Sequence, residues 1–199
     1  MIVGGNNSAF IMQGSASVYS NTSTSRGGGV QVGGGAAFIM EDDSSVHNNN
    51  ASGGTSDGGG VSVFNANFTM RHNAAIRDNT ASGSTTSFGG GVNVGTLGNF
   101  FMEGGTISGN ISRGDINANG GGVYIENNGN FHKTGGIIYG WGDNQTLGNV
   151  TRNTNNAVLS NSGHTAYHRS SPVKRRENTA GENQNMNTAQ TGSAGGWLP

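Results

Sequence analysis

The densest groups of ionisable side chains in this sequence are Glu41, Asp42 and Asp43, and further along Arg71, His72, Arg77 and Asp78. A polysaccharide hydrolase or lyase would need such a gathering, hydrolysis using a carboxyl pair about 5 to 10 Å apart. These groups do not recur in a spacing that assigns an acid and a base, so catalysis is not expected of them. Glu41-Asp42-Asp43 also offers oxygen ligands for a weakly held calcium ion, but the glycine-rich nonapeptide of calcium-binding β-rolls is missing. His164 and His168 stand four apart, as two ligands on one helix face would, yet Ser162-Gly163 and Thr165-Ala166-Tyr167 around them read as strand or turn. Gly54-Thr55-Ser56-Asp57-Gly58 has the letters of a nucleophile elbow without the preceding strand and following helix that make one. No phosphate-cradling glycine motif is present. No catalytic residue, metal site or cofactor is assigned.

What positions these residues is a repeat. Gly-Gly-Gly-Val begins at Gly27, Gly58, Gly89 and Gly120, with a constant step of 31 residues. A fixed period of this length marks a stack of supersecondary units, each completing its core against its neighbours. Behind each glycine triplet follow further columns: Phe10, Phe38, Phe68, Phe100 and Phe131; then Met12, Met40, Met70 and Met102, with Lys133 breaking the series; then Val18, Val46, Ile76, Ile107 and Ile138. Asn21, Asn49, Asn79 and Asn110 close the pattern, with Trp141 in the fifth place. Val30-x-Val32, its counterparts and the Phe-x-Met pairs alternate with period two, and none keeps a helical period. Three short strands per repeat, each adding a rung to one of three parallel sheets, make a parallel β-helix. The Phe and Met columns are its expected core.

Composition agrees. The chain has 38 glycines, no cysteine, a net charge of −1 and only 31% hydrophobic residues. Low hydrophobicity raises disorder, but disorder also expects high net charge; a thin solenoid core accounts for both observations. The charge balance and the short run Lys174-Arg175-Arg176 give no basis for nucleic-acid binding, and no apolar stretch approaches a membrane span.

The Asn column reads as a structural ladder, since stacked amides hydrogen-bond from coil to coil. The glycine triplets read as tight corners with positive φ. Outward positions are where a solenoid would meet a partner. Ile11, Ile39, Thr69 and Phe101, followed by His132, fall between the Phe and Met columns and form a candidate apolar binding strip. Gln13, Glu41, Arg71 and Glu103 would stack at about 4.8 Å as a surface ion-pair ladder. The segments Thr22 to Arg26, Asn50 to Asp57, Thr80 to Phe88 and Ile111 to Asn119 leave the coil after the Asn and read as loops of one edge. Between the valine pairs, Gln31, Ser62, Asn93 and Tyr124 read as an outward column. It lacks the flat Thr-x-Thr array that an ice-binding solenoid would need.

Gly120 to Val123 and Gly104-Gly105-Thr106-Ile107-Ser108-Gly109-Asn110 resemble the Gly-Gly-Ala-Ile/Val and Phe-x-x-Asn repeats of the polymorphic outer-membrane adhesins of chlamydiae. They look closer still to repeat-rich, right-handed β-helical surface proteins of spirochaetes and gut bacteria, which have a pectate-lyase-like fold. The likeness covers roughly residues 1 to 141. Val or Ile replaces the aromatic of the chlamydial motif, and no autotransporter barrel follows. The resemblance implies an extracellular or cell-surface bacterial location, with host glycans, host proteins or other surface proteins as partners.

Residues 142 to 199 lose the repeat and read as a C-terminal cap, which a solenoid needs to protect its sheet edges. The start Met1-Ile2-Val3-Gly4-Gly5-Asn6 has no signal peptide, so the chain reads as a fragment of a larger exported protein or as an unexported one. The expectation is a right-handed parallel β-helix of about five coils serving as a non-catalytic surface structural or adhesive module. The alternative is a fragment of a carbohydrate-active β-helix enzyme.

Overall fold

In the computed structural model, which describes residues 1–141 and 146–176, the chain winds as an all-β parallel solenoid. Four sheets, not the three expected, form its walls. Sheet A contains Ile2–Val3, Val30–Val32, Val61–Val63, Val92–Val94, Val123–Ile125 and Ala166–His168. Sheet B stacks Ala9–Met12, Ala37–Met40, Asn67–Met70, Asn99–Met102 and Asn130–Lys133. Sheet C stacks Ser17–Tyr19, Ser45–His47, Ala75–Arg77, Thr106–Ser108 and Ile137–Ile138. Sheet D contains Thr22–Ser23, Asn50–Asp57, Thr80–Phe88, Ile111–Arg113 and Val150–Arg152, and Asn117–Asn119 joins it beside Thr80–Phe88.

Sheet D corrects the reading of Asn50 to Asp57 and Thr80 to Phe88 as loops. Both are strands, paired in parallel from Asn50↔Thr80 to Asp57↔Phe88 with a register shift between Gly83 and Thr86. Their inward positions carry Ala51, Ser56, Ala81 and Ser87, all fully buried. Small side chains let this wall close on the interior, and Ser87 Oγ lies 2.7 Å from Ser112 Oγ across the rungs. The polar composition that signals a loop is here the lining of a narrow corner.

Elsewhere the core follows the sequence columns. Phe10, Phe38, Phe68, Phe100 and Phe131 form one stack with ring centroids 4.6 to 5.3 Å apart, within the range of favourable offset stacking. Met12, Met40, Met70 and Met102 are buried beside them, and Lys133 occupies the same position, fully buried, in the last rung. Phe10 and Val18, in the first coil, are only partly buried.

The Asn column is a hydrogen-bonded ladder. The Oδ1 of Asn79 accepts from the backbone N–H and the Nδ2 of Asn49, each at 3.0 Å. Asn110 receives the same pair from Asn79, at 3.0 and 2.9 Å. The remaining Nδ2 proton reaches backbone carbonyls, as from Asn79 to Val46 at 3.0 Å. The ladder does not end at Trp141: Asn149 takes the fifth place and accepts from Asn110 N and Nδ2 at 3.0 and 2.8 Å. It lies 39 residues after Asn110, outside the period.

The first glycine of each triplet has φ between +58° and +69°, a region glycine enters without the penalty of a Cβ. At the far end of sheet A, Lys174–Arg176 pairs antiparallel with Ala166–His168. This basic strand reverses the stacking direction and carries three charges along the sheet edge, a familiar guard against edge-to-edge association. Among the described residues, no helix is long and apolar enough to cross a membrane.

Candidate binding surfaces

The candidate apolar strip is assembled by sheet B. Ile11, Ile39, Thr69, Phe101 and His132 are direct register partners, facing outward because Phe and Met on either side face in. Ile11 is 50% exposed, Ile39, Thr69 and Phe101 are half-buried and His132 is exposed. Phe101 and His132 stack with centroids 5.4 Å apart. Beside this strip runs a second amide ladder that the sequence reading missed. Asn99 Nδ2 donates to Asn67 Oδ1 and Asn130 Nδ2 to Asn99 Oδ1, both at 3.0 Å, at the surface. Its signal was an Asn immediately before the core Phe in three repeats.

The charged residues of neighbouring coils do meet, as ties between rungs. Glu41 accepts from Arg71 Nε at 2.7 Å and from Gln13 Nε2; these two bonds, Gln13's first, hold its carboxyl below the usual range. Asp42 accepts from the Gly14 amide at 2.9 Å and faces His72 Nδ1 at 3.2 Å, and the amide is the main reason its pKa is lowered. Asp43 accepts from Asn73 at 3.1 Å, and Arg77 pairs with its neighbour Asp78 at 3.0 Å. Among the described residues, no group of three or more His, Asp or Glu is placed to hold a metal ion.

Ser56 is fully buried in sheet D, and its strand runs straight through the position where an elbow would turn. His164 accepts from the Thr151 backbone N–H at 3.1 Å. His168 faces inward in the register of Ile125, and burial pushes its pKa down to about 4.

The outer face of sheet A differs from its sequence reading. Ser62, Asn93 and Tyr124 are buried, whereas an outward column would be solvated. The long strands of sheet D end beside them: Phe88 stacks on Tyr124 with centroids 4.5 Å apart, and Arg26, tied to Asp57 at 3.0 Å, lies 4.3 Å over the Phe64 ring. Tyr124 in turn stacks on Tyr167 at 5.5 Å, and burial raises its hydroxyl pKa. Burial also raises the carboxyl of Asp57, against the pull of Arg26, with a smaller push from Glu126.

Next to this aromatic stack lies a cleft of two adjoining cavities that share Arg169. One, about 250 Å³, is lined by Phe88, Asn117, Asn119, Tyr124, Tyr167 and Arg169. The other, about 390 Å³, is lined by Glu126, Asn127, Arg169, Ser170 and Ser171. The sequence reading did not find this cleft, because Tyr167 and Arg169 lie beyond the last full repeat and Phe88 sat in a presumed loop. Comparison with protein-family models, curated proteins and solved structures returned no significant match.

Proposed function

We propose that this chain is a bacterial cell-surface or secreted structural and adhesive module, of the kind seen in polymorphic outer-membrane adhesins and related β-helical surface proteins, acting through display and not catalysis. The observation that carries this reading is the outer face of sheet B. There an apolar and aromatic column stands in strict register beside an exposed amide ladder, so that apolar contact and hydrogen bonding are offered on one flat, rigid surface. Exposed apolar groups in contiguous rows are a common mark of interaction sites. Of the ionisable side chains that would suit hydrolysis, Glu41 is bound to Arg71, Asp42 to His72 and Asp43 to Asn73 of the neighbouring rung.

The test is binding of the purified chain to an array of glycans and extracellular-matrix proteins, with Ile39→Ser and Phe101→Ser as variants. Binding that weakens in both supports the adhesive reading. Binding to nothing on the array would reduce the chain to a passive spacer.

One observation favours the second reading, a fragment of a carbohydrate-active enzyme. Asp57 is buried with its pKa raised, its Oδ1 lacks a hydrogen-bond partner, and Glu126 contributes to the shift. A buried carboxyl with a raised pKa is the kind of group that can serve as the acid in glycoside hydrolysis. Shortening of an array glycan, abolished by Asp57→Asn, would make this the correct reading.

A further inference from the structure

We infer that the cleft around Arg169 is a binding site for an uncharged saccharide. This rests on the reading of the chain as a binding module and places a second recognition surface on sheet A, distinct from the strip on sheet B.

The cleft brings together the groups that hydroxyl-rich ligands require. Asn117 and Asn119 flank the buried Ala118 on one strand, so both amides fall on the outward side. Neither they nor Asn127 has a side-chain hydrogen bond among the described residues, which leaves three amides with donors and acceptors to spare. Arg169 bridges the Tyr124 hydroxyl and Glu126, its Nη1 3.5 Å from Oε2, and with 64% of its side chain exposed it keeps further N–H donors open to solvent. Tyr124 Oη lies as far, 3.5 Å, from Glu126 Oε1. This paired guanidinium and carboxylate present a planar donor fork and a planar acceptor pair side by side, an arrangement that can bridge neighbouring hydroxyls of a sugar ring.

Charge selects among ligands. Arg169 would by itself favour an anion, but the Glu126 carboxylate lines the same cavity, and an anion there would meet a like charge. Within the lining of that cavity the pair is balanced, which points to a neutral ligand. An apolar one is disfavoured in turn, because it would strip water from the amides and from both charges without replacing those bonds. Rigidity completes the case. Tyr124 is 1% exposed and fixed between Phe88 and Tyr167, so the wall needs no ordering when a ligand arrives. The larger cavity, about 390 Å³, falls within the range of about 300–1,000 Å³ usual for small-molecule sites.

The experiment is calorimetric titration of the whole chain with hexasaccharides of glucose and of mannose as uncharged probes, and with a uronic-acid hexamer as the acidic one. It is repeated with Arg169→Ala, Asn119→Ala and Tyr19→Ser, circular dichroism confirming that each variant keeps its strands. At least one uncharged probe should bind, and Arg169→Ala and Asn119→Ala should each weaken it about tenfold or more, with Tyr19→Ser, exposed on sheet C in the first coil, unchanged. Preference for the acidic probe, binding indifferent to Arg169 and Asn119, or failure of every probe overturns the inference. Because the sheet B strip is tested separately by Ile39→Ser and Phe101→Ser on the array, failure at the cleft leaves the adhesive reading to its own result.

Discussion

A Cβ on Gly60 would stand 3.0 Å from Nδ2 of Asn79 and 2.8 Å from the Gly91 carbonyl oxygen. The third glycine of the triplet therefore makes room for the ladder amide, and the two most regular features of the sequence are one device. The same holds at Gly29 against Asn49 and at Gly91 against Asn110, at 2.9 and 3.0 Å. Such distances are closer than packed side chains tolerate without shifting their neighbours.

Gly60→Ala is accordingly expected to destabilise the chain by about 1–3 kcal/mol through overpacking, although alanine is otherwise the better-behaved residue. Urea denaturation would measure it. An unchanged midpoint would mean that the ladder yields to make space.

Removing a ladder amide should cost more inside the stack than at its rim. Asn79→Ala leaves the Asn49 N–H and Nδ2 without their acceptor in a buried setting, and should lower stability by about 2–5 kcal/mol. Asn21, at the exposed first coil, accepts no comparable pair among the described residues, and Asn21→Ala should cost about 1 kcal/mol or less. Equal losses at both sites would refute a cooperative ladder.

The Phe stack gives a parallel contrast. Phe68→Ala empties a fully buried position between two rings and should cost about 3–5 kcal/mol. Phe10→Ala, where the ring is only partly buried, should cost clearly less. Thermal melts of the two variants at one protein concentration would rank them.

His168 makes stability depend on pH below neutrality. Its folded pKa, about 4, lies under the ordinary 6.5, so between these values the unfolded chain takes up a proton that the folded chain refuses. Stability is fully present above pH 6.5 and falls as pH drops toward 4, by about 1.4 kcal/mol per pH unit at most. His168→Leu should flatten this slope in urea titrations between pH 7 and 5. The lowered pKa values of Glu41 and Asp42 act further down: their contribution is present above the ordinary carboxyl range and fades as pH falls through their folded values.

The basic strand Lys174–Arg176 should keep the chain from associating edge to edge. Replacing all three residues by Thr preserves a strand-forming segment but removes its charges, and should produce concentration-dependent larger species in gel filtration. A variant that stays monomeric would assign the guard to another element.

The period of 31 residues made sheets A, B and C and the first four ladder residues legible, because Val, Phe, Met, Ile and Asn at those sites differ sharply from what surrounds them. Sheet D was not legible. Asn50–Asp57 has Ala51 and Ser56 on its inner side, and alternation between small and polar residues carries no hydrophobic signal. Asn149 and Tyr167 escaped because longer excursions carry the chain to them, so they belong to the stack in space but not in sequence. The cleft at Arg169 depends on both omissions, since one wall comes from sheet D and the other from beyond the repeat.

Every amide in the buried ladder points the same way, its oxygen accepting from the coil before it and its nitrogen donating to the coil after it. The column thus has a polarity: a coil laid on in reverse would bring donor against donor. Each finished turn is a template that accepts its successor in one orientation only, so the direction of growth is written in side-chain dipoles as well as in the backbone.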